Sequence, residues 1–264
     1  MNYFEFEKSR IAYDELGSGT PVMLVHGTLW YSPWGKFKYL LASSHRVIAI
    51  HLPGYGGSQA VPGRVHDTDL LAKALCGLVD HLGLKNAPLI GLSLGTVVAV
   101  KAARTGCVRG KLILAGMPTK TTGVMVWMSH WLPKFVLRKI AKLNFVREKI
   151  LMVSIRENVG RHRREIRLAG SFKDAVNRTS PEAIADVDYV RLVKELPHTL
   201  SEIPNEKIFL YGQYDTQKTG AKAWGISYRV IKKSGHNIFY DQPEEAFRLV
   251  TRLLPGIRKQ PGGN

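Results

Sequence analysis

Apolar positions recur along this chain in two rhythms. Short, almost unbroken apolar runs stand at Val22-Met23-Leu24-Val25, Val47-Ile48-Ala49-Ile50, Pro88-Leu89-Ile90 and Lys111-Leu112-Ile113-Leu114-Ala115. Runs of this length without polar alternation suit strands buried on both faces, as in a parallel sheet covered by helices. Ahead of them, residues 2–7 and 10–15 alternate with period two around a short polar link, which predicts a hairpin. Between the runs the period lengthens. Thr68 to Leu82 carries apolar residues at 71, 75, 78, 79 and 82, with Asp67 placed to cap the start and Gly83 just past the end. Strands alternating with helices predict an α/β fold built on a doubly wound, mostly parallel sheet.

The pattern changes after Ala115. From Met117 to Pro204 the spacing is helical and no strand is read, with Ser180-Pro181-Glu182 marking a helix start. The strand pattern returns at 207–211 and 228–231, and Glu244 to Leu254 reads as a closing helix. Asp241 is placed to be its N-cap, with Glu244 completing a capping box. The expected organisation is a core domain of residues 1–116 and 205–264, interrupted by an all-helical cap at 117–204.

Composition adds two constraints. With 264 residues and 45% hydrophobic content, the chain is expected to bury a sizeable core with no need of a metal or a disulfide; disorder is excluded, and two cysteines in so long a chain exclude a disulfide scaffold. Cys76 falls in a helical pattern and Cys107 in a loop, and both are read as idle thiols with no partner. The most apolar stretch, 87–100, is shorter than the roughly 20 residues a bilayer needs. Residues 1–7 have neither a basic head nor an apolar core, so the expected location is cytoplasmic.

The net charge of +17 predicts attraction to polyanions. More than half of the excess lies between Lys134 and Lys173, where twelve basic residues face only Glu148, Glu157 and Glu165. An acidic acyl-carrier protein, the phosphates of coenzyme A and an anionic membrane surface are all candidate partners. Specific nucleic-acid binding is not expected. The apolar residues of the segment from Met117 to Lys142, namely Met117, Met125, Trp127, Met128, Trp131, Leu132 and Phe135, are expected to line an acyl pocket from beneath the cap.

Candidate chemistry begins at Gly91-Leu92-Ser93-Leu94-Gly95, between a buried strand and a helical run. A strand-to-helix turn this sharp needs small residues around the serine and pushes its hydroxyl above the sheet. A serine hydroxyl needs a base, normally a histidine oriented by a carboxylate. Asp215 and His236 lie just past the last two strands, and parallel strands bring their C-terminal ends to one edge. Ser93, Asp215 and His236 are therefore the expected nucleophile, orienting acid and base. No carboxylate follows the strand at 111–115, and no metal-ligand motif is present.

These features together resemble the α/β-hydrolase superfamily, in particular compact serine esterases with a helical cap. The matching segments are Val25-His26-Gly27-Thr28, Leu52-Pro53-Gly54-Tyr55-Gly56-Gly57-Ser58, the serine elbow, Tyr211-Gly212-Gln213-Tyr214-Asp215 and Gly235-His236-Asn237. The resemblance implies a carboxylic ester hydrolase with no cofactor, acting on a small acyl ester or thioester through an acyl-enzyme. It also implies an oxyanion hole from the backbone N–H groups of Thr28 and Leu94. Ser93 departs from the aspartate that haloalkane dehalogenases and epoxide hydrolases of this fold carry. Two further departures concern His51, where the family usually has an acid, and the segment between Asp215 and His236, which leaves room only for a reduced helix near Gln217–Gly225. A carbon–carbon bond hydrolase or perhydrolase would use the same three residues. A non-catalytic small-ligand receptor is the reading from a different class.

Overall fold

A computed structural model describes residues 1–121, 131–143, 145–147, 149 and 173–254. Strands β1 (Asn2–Phe6) and β2 (Ser9–Leu16) form the predicted hairpin. Then come β3 (Pro21–Val25), α1 (Gly35–Ala42), β4 (Arg46–Ile50), α2 (Thr68–Leu82), β5 (Leu89–Leu92), α3 (Leu94–Arg104) and β6 (Leu112–Ala115). The range 117–204, expected to be a cap, contains α4 (Lys134–Ile140), α5 (Pro181–Ala185) and α6 (Tyr189–Glu202), the last packed into the sheet core. The core resumes with β7 (Lys207–Gly212), α7 (Lys218–Ala223), β8 (Tyr228–Ile231), α8 (Ile238–Asp241) and α9 (Pro243–Leu253). The eight strands form one sheet in the order β1-β2-β4-β3-β5-β6-β7-β8. Pairing is antiparallel for β1–β2 and β2–β4 and parallel from there on.

The unbroken apolar runs are explained by where alternate residues go. Met23, Val25, Ile48, Ile50, Leu89, Leu112 and Leu114 face one core, shared with α2, α3 and α6. Val22, Leu24, Val47, Ala49, Ile90, Ile113 and Ala115 face a second core, filled by Trp34, Phe37 and Leu41 and by α8 and α9. Each of these strand residues thus meets an apolar partner whichever face it points to. Each fully buried aliphatic side chain contributes roughly 1.5–3 kcal/mol.

Local signals behave as their chemistry demands. The Asp67 side chain accepts hydrogen bonds from the N–H groups of Asp69 and Leu70 at 3.1 and 2.9 Å. Gly83 ends α2 in the left-handed region, φ 67°. Ser180 caps α5 by accepting from Ala183 N–H, with Pro181 in the first turn.

Two expectations are corrected here. Cys76 and Cys107 are joined in a disulfide, with Cα atoms 5.6 Å apart across a sequence separation of 31. Packing of α2 beside α3 brings the second half of α2 against the loop that follows α3, a proximity invisible to local pattern. Asp241, in turn, does not cap the last helix. Gln242 occupies the N-cap of α9 and makes no side-chain cap bond. The Asp241 carboxylate turns back toward the chain before α8, accepting from Gly235 N–H at 2.6 Å and Ser234 Oγ at 3.4 Å.

The described part of the cap seats on the loop after β4. Ser180 N–H donates to Gly54 O at 2.7 Å, and Gly56 N–H donates to Arg178 O at 3.0 Å. Gly54 permits this contact. It holds φ +81°, and a Cβ there would lie 2.6 Å from Ser180 Oγ. The Tyr55 phenol donates to Ala183 O at 2.9 Å. Buried Asp186 completes the seat: it accepts from Arg138 Nε at 2.9 Å and Nη2 at 2.5 Å, and from His66 N–H at 2.7 Å. Burial pushes its carboxyl up, but the hydrogen bonds from His66 and the Arg138 guanidinium outweigh that and take it down to about 2. Among the described residues, no helix is long and apolar enough to cross a membrane.

Candidate active site

Ser93 sits between β5 and α3 with φ 53° and ψ −119°, a backbone state that non-glycine residues rarely adopt. Three hydrogen bonds hold it there. Ser93 N–H donates to Ala115 O at 2.9 Å, while Ser93 O accepts from Thr96 N–H at 2.9 Å and Thr96 Oγ1 at 2.6 Å. Gly95 lets α3 start this close to β3, since a Cβ would lie 2.1 Å from Val25 O. The serine therefore stands at the positive end of α3, half-buried, at the C-terminal edge of the parallel sheet.

Asp215 and His236 meet at that same edge. Asp215 Oδ2 lies 3.0 Å from His236 Nδ1, and its other oxygen accepts from Gln217 N–H at 2.9 Å. Burial pushes the Asp215 carboxyl up, yet the His236 imidazole, the Gln217 N–H and the Lys218 ammonium together hold it below the ordinary aspartate value. An ionised carboxylate facing Nδ1 fixes the proton on that nitrogen and turns Nε2 into the basic one. The His236 ring lies over the end of β6, because a Cβ on Gly116 would approach its Cε1 to 2.9 Å. Gly116 follows Ala115, which pairs with Leu92, the residue before Ser93. The imidazole is thus one strand from the serine. The reduced helix between Asp215 and His236 is α7, six residues long, and the separation is still bridged.

The loop after β3 covers the serine. A Cβ on Gly27 would lie 3.0 Å from Ser93 Cβ and 3.7 Å from its Oγ, so Thr28 begins directly beside the elbow. His26 braces this loop: Nδ1 donates to Gly27 O at 2.7 Å and Nε2 accepts from Leu52 N–H at 2.9 Å. Burial pushes its pKa down to about 3, so it stays neutral and acts as a rivet. Leu29, in the same loop, holds φ 65°, a left-handed backbone state like that of Ser93 in the elbow. Leu94 is the first residue of α3.

Three contributors lie outside what the sequence pattern pointed to. Tyr189, at the start of α6, hydrogen-bonds the Thr28 hydroxyl through its phenol, so α6 reaches the loop beside the serine. Asp241 anchors the residue before His236. Asp186 ties the cap to the core. Of these, only Asp241 had a signal, a carboxylate near the histidine, and Glu244 three residues on suggested a capping box instead. His51 accepts from Gly57 N–H at 3.1 Å, anchoring the loop after β4. Its Nε2 lies 3.7 Å from Asp14, whose carboxyl is held far below the usual range, chiefly by His51 and Lys38.

The apolar cap residues split. Met117 is buried in the core. Trp131 and Phe135, expected beneath the cap, are instead 64% and 65% exposed. Met125, Trp127 and Met128 lie outside the described residues, as do Arg156, Arg161, Arg163, Arg164 and Arg167.

Comparison with known proteins agrees with this architecture. The profile of the alpha/beta hydrolase family matches residues 22–249. A 2-hydroxy-6-oxononadienedioate/2-hydroxy-6-oxononatrienedioate hydrolase of Pseudomonas putida is 37% identical over 114 residues, spanning 40% of this chain and 40% of that relative. A protein of the same name from Burkholderia vietnamiensis is 24% identical over 93% of this chain and 91% of its own length. Among solved structures, a thermophilic esterase from Thermogutta terrifontis superposes with a TM-score of 0.76 at 24% identity, covering 93% of each chain. At that identity the likeness concerns the fold.

Proposed function

The chain belongs to the alpha/beta hydrolase family, and from that premise we propose that it is a serine hydrolase cleaving a carboxylic ester or thioester. The observation that carries this reading is the 3.0 Å contact of His236 Nδ1 with ionised Asp215, one strand from a serine on a strained elbow. In this reading His236 Nε2 takes the proton of the Ser93 hydroxyl as Oγ bonds to the acyl carbon. The carbonyl electron pair moves onto oxygen, stabilised by the N–H groups of Thr28 and Leu94. Collapse expels the alcohol or thiol, which leaves with the proton from His236. Water, deprotonated by the same nitrogen, then attacks the acyl-enzyme and releases the acid and free Ser93. Asp215 stays ionised throughout and stabilises the imidazolium. No cofactor enters these steps.

The test is covalent labelling by a fluorophosphonate combined with turnover of p-nitrophenyl esters and acyl thioesters of graded chain length. Labelling is expected at Ser93 and lost in Ser93→Ala, with kcat falling by several orders of magnitude. A Ser93→Ala enzyme with near-normal kcat would overturn the serine mechanism. An enzyme that labels but turns over no ester or thioester would point to a ligand receptor.

A second reading is hydrolysis of a carbon–carbon bond, favoured by the names of the Pseudomonas and Burkholderia relatives. It uses the same residues, but the leaving group is a stabilised carbanion that must be protonated on carbon. Including a 2-hydroxy-6-oxo-dienoate in the substrate panel separates the two, since only the second reading expects it to outrun the simple esters.

A further inference from the structure

Among the described residues between 131 and 149, the aromatic side chains lie on the outside. Trp131, Phe135 and Phe145 are 64%, 65% and 64% exposed, and Leu143 between them is exposed as well. These four fall within fifteen residues. The reason they are outside is visible in how α4 packs. Leu137 and Ala141 turn inward against Ala185, and Val146 packs against Leu29 and Val176. Phe135 lies opposite Leu137 on the helix, in line with Lys139 four residues on and Lys142 one turn further. Lys139, Lys142 and Lys149 are exposed, and no acid occurs between 131 and 147.

The two arginines of this region are spoken for. Arg138 is held by Asp186, and Arg147 donates to the carbonyls of Ala141, Val176 and Thr179. The exposed side chains of this stretch are therefore aromatic and aliphatic groups interleaved in sequence with lysine. Exposed apolar patches of this kind mark interaction sites. Charge and apolarity together decide among the anionic candidates. An acyl-carrier protein or the phosphates of coenzyme A would engage the lysines and leave the four apolar side chains in water. A bilayer with anionic headgroups takes both, lysines at the phosphates and aromatic rings at the acyl boundary.

We propose that the outer face of the cap, Trp131, Phe135, Leu143 and Phe145 with Lys139, Lys142 and Lys149, docks the protein peripherally on an anionic lipid surface. The net charge of +17 favours the approach of the whole molecule. The inference is independent of the hydrolase reading, because none of these residues belongs to the proposed machinery.

The experiment is flotation of the full chain with vesicles of phosphatidylcholine alone and of phosphatidylcholine mixed equally with phosphatidylglycerol. Binding is expected to the mixed vesicles and not to the neutral ones, and to weaken as salt rises. Trp131→Ser, Phe135→Ser and Phe145→Ser together keep every charge and should lower partitioning about tenfold or more. Lys139→Gln with Lys142→Gln should lower it about thirtyfold, two surface charges' worth. Thermal melts confirm that both variants are folded. Absence of binding to mixed vesicles overturns the proposal. So does unchanged binding of the aromatic variant, which would reduce the effect to adsorption of a basic protein. Capture of an acidic acyl-carrier protein, or self-association through this face, without vesicle binding would overturn it equally.

Discussion

The carboxylate of Asp241 accepts a 2.6 Å hydrogen bond from the backbone N–H of Gly235, closing the short loop that carries His236 between them. Asp215 holds the ring of that histidine, and Asp241 holds its backbone. The two acids consequently differ in what their loss should do.

Asp215→Asn should lower kcat by about four orders of magnitude, because an amide facing Nδ1 favours the wrong tautomer. Asp241→Ala should lower stability by about 2 kcal/mol, the scale of a hydrogen bond to a charged group left unmade. It should also lower kcat by about tenfold through a loosened loop. Asp241→Asn, which keeps an acceptor oxygen, should recover most of both. Steady-state kinetics and urea titration of the three variants decide the matter. A larger kcat loss in Asp241→Ala than in Asp215→Asn would exchange the roles.

What could be read from the chain beforehand was whatever depends on local geometry. The strand runs at 22–25, 47–50 and 112–115 were legible because both sheet faces are covered, so no position is free to be polar. Ser93 was legible because the elbow needs glycines at fixed spacing, and Asp67 because a cap bonds only two or three residues away. The disulfide, the Thr28–Tyr189 bond and the Asp186 seat join residues 31, 161 and 120 positions apart. Nothing periodic announces such pairs. Trp131 and Phe135 failed differently: helical spacing identified the helix but not which of its faces α5 covers. Asp241 had a plausible local role that a tertiary partner outbid.

Asp186 makes stability pH-dependent in a predictable direction. Its carboxyl falls from 3.8 to about 2 on folding, so its contribution is fully present above pH about 4 and is lost as pH drops through about 2. That shift corresponds to roughly 2 kcal/mol. Asp186→Asn should therefore be less stable than the parent at pH 6, with the gap narrowing steadily between pH 4 and pH 2. Urea midpoints for both proteins across that range provide the check. A gap independent of pH would mean that the seat is held by shape rather than by charge.

Tyr189 and Thr28 should behave as a coupled pair. Their hydroxyls bond directly between α6 and the loop after β3. Tyr189→Phe and Thr28→Val each remove one partner, and each should cost about 1 kcal/mol of stability. The double variant should cost clearly less than the sum, because the second change removes nothing that the first left intact. Additive losses in urea titration would show that the hydroxyls act separately. A parallel rise in KM for the bulkier acyl substrates, greater than for small ones, is expected if α6 borders the pocket.

The disulfide gives the last prediction. Cys76 and Cys107 enclose a separation of 31 residues that includes β5, the serine elbow and the whole of α3. Closing a loop of that length in the unfolded chain should stabilise the folded one by about 4 kcal/mol if chain entropy governs the effect. Such bridges persist in oxidising compartments and are uncommon in a reducing cytosol. The oxidised protein should therefore lose stability on treatment with dithiothreitol, seen as a lower urea midpoint, while Cys76→Ser with Cys107→Ser starts low and does not respond. Intact mass before and after reduction, with alkylation of the released thiols, establishes which state was measured. Activity should change little at temperatures well below the transition, because the bridge lies at the end of α3 remote from Ser93, which starts it. An oxidised protein whose midpoint matches that of the double serine variant would show that α2 and α3 are held by their packing alone.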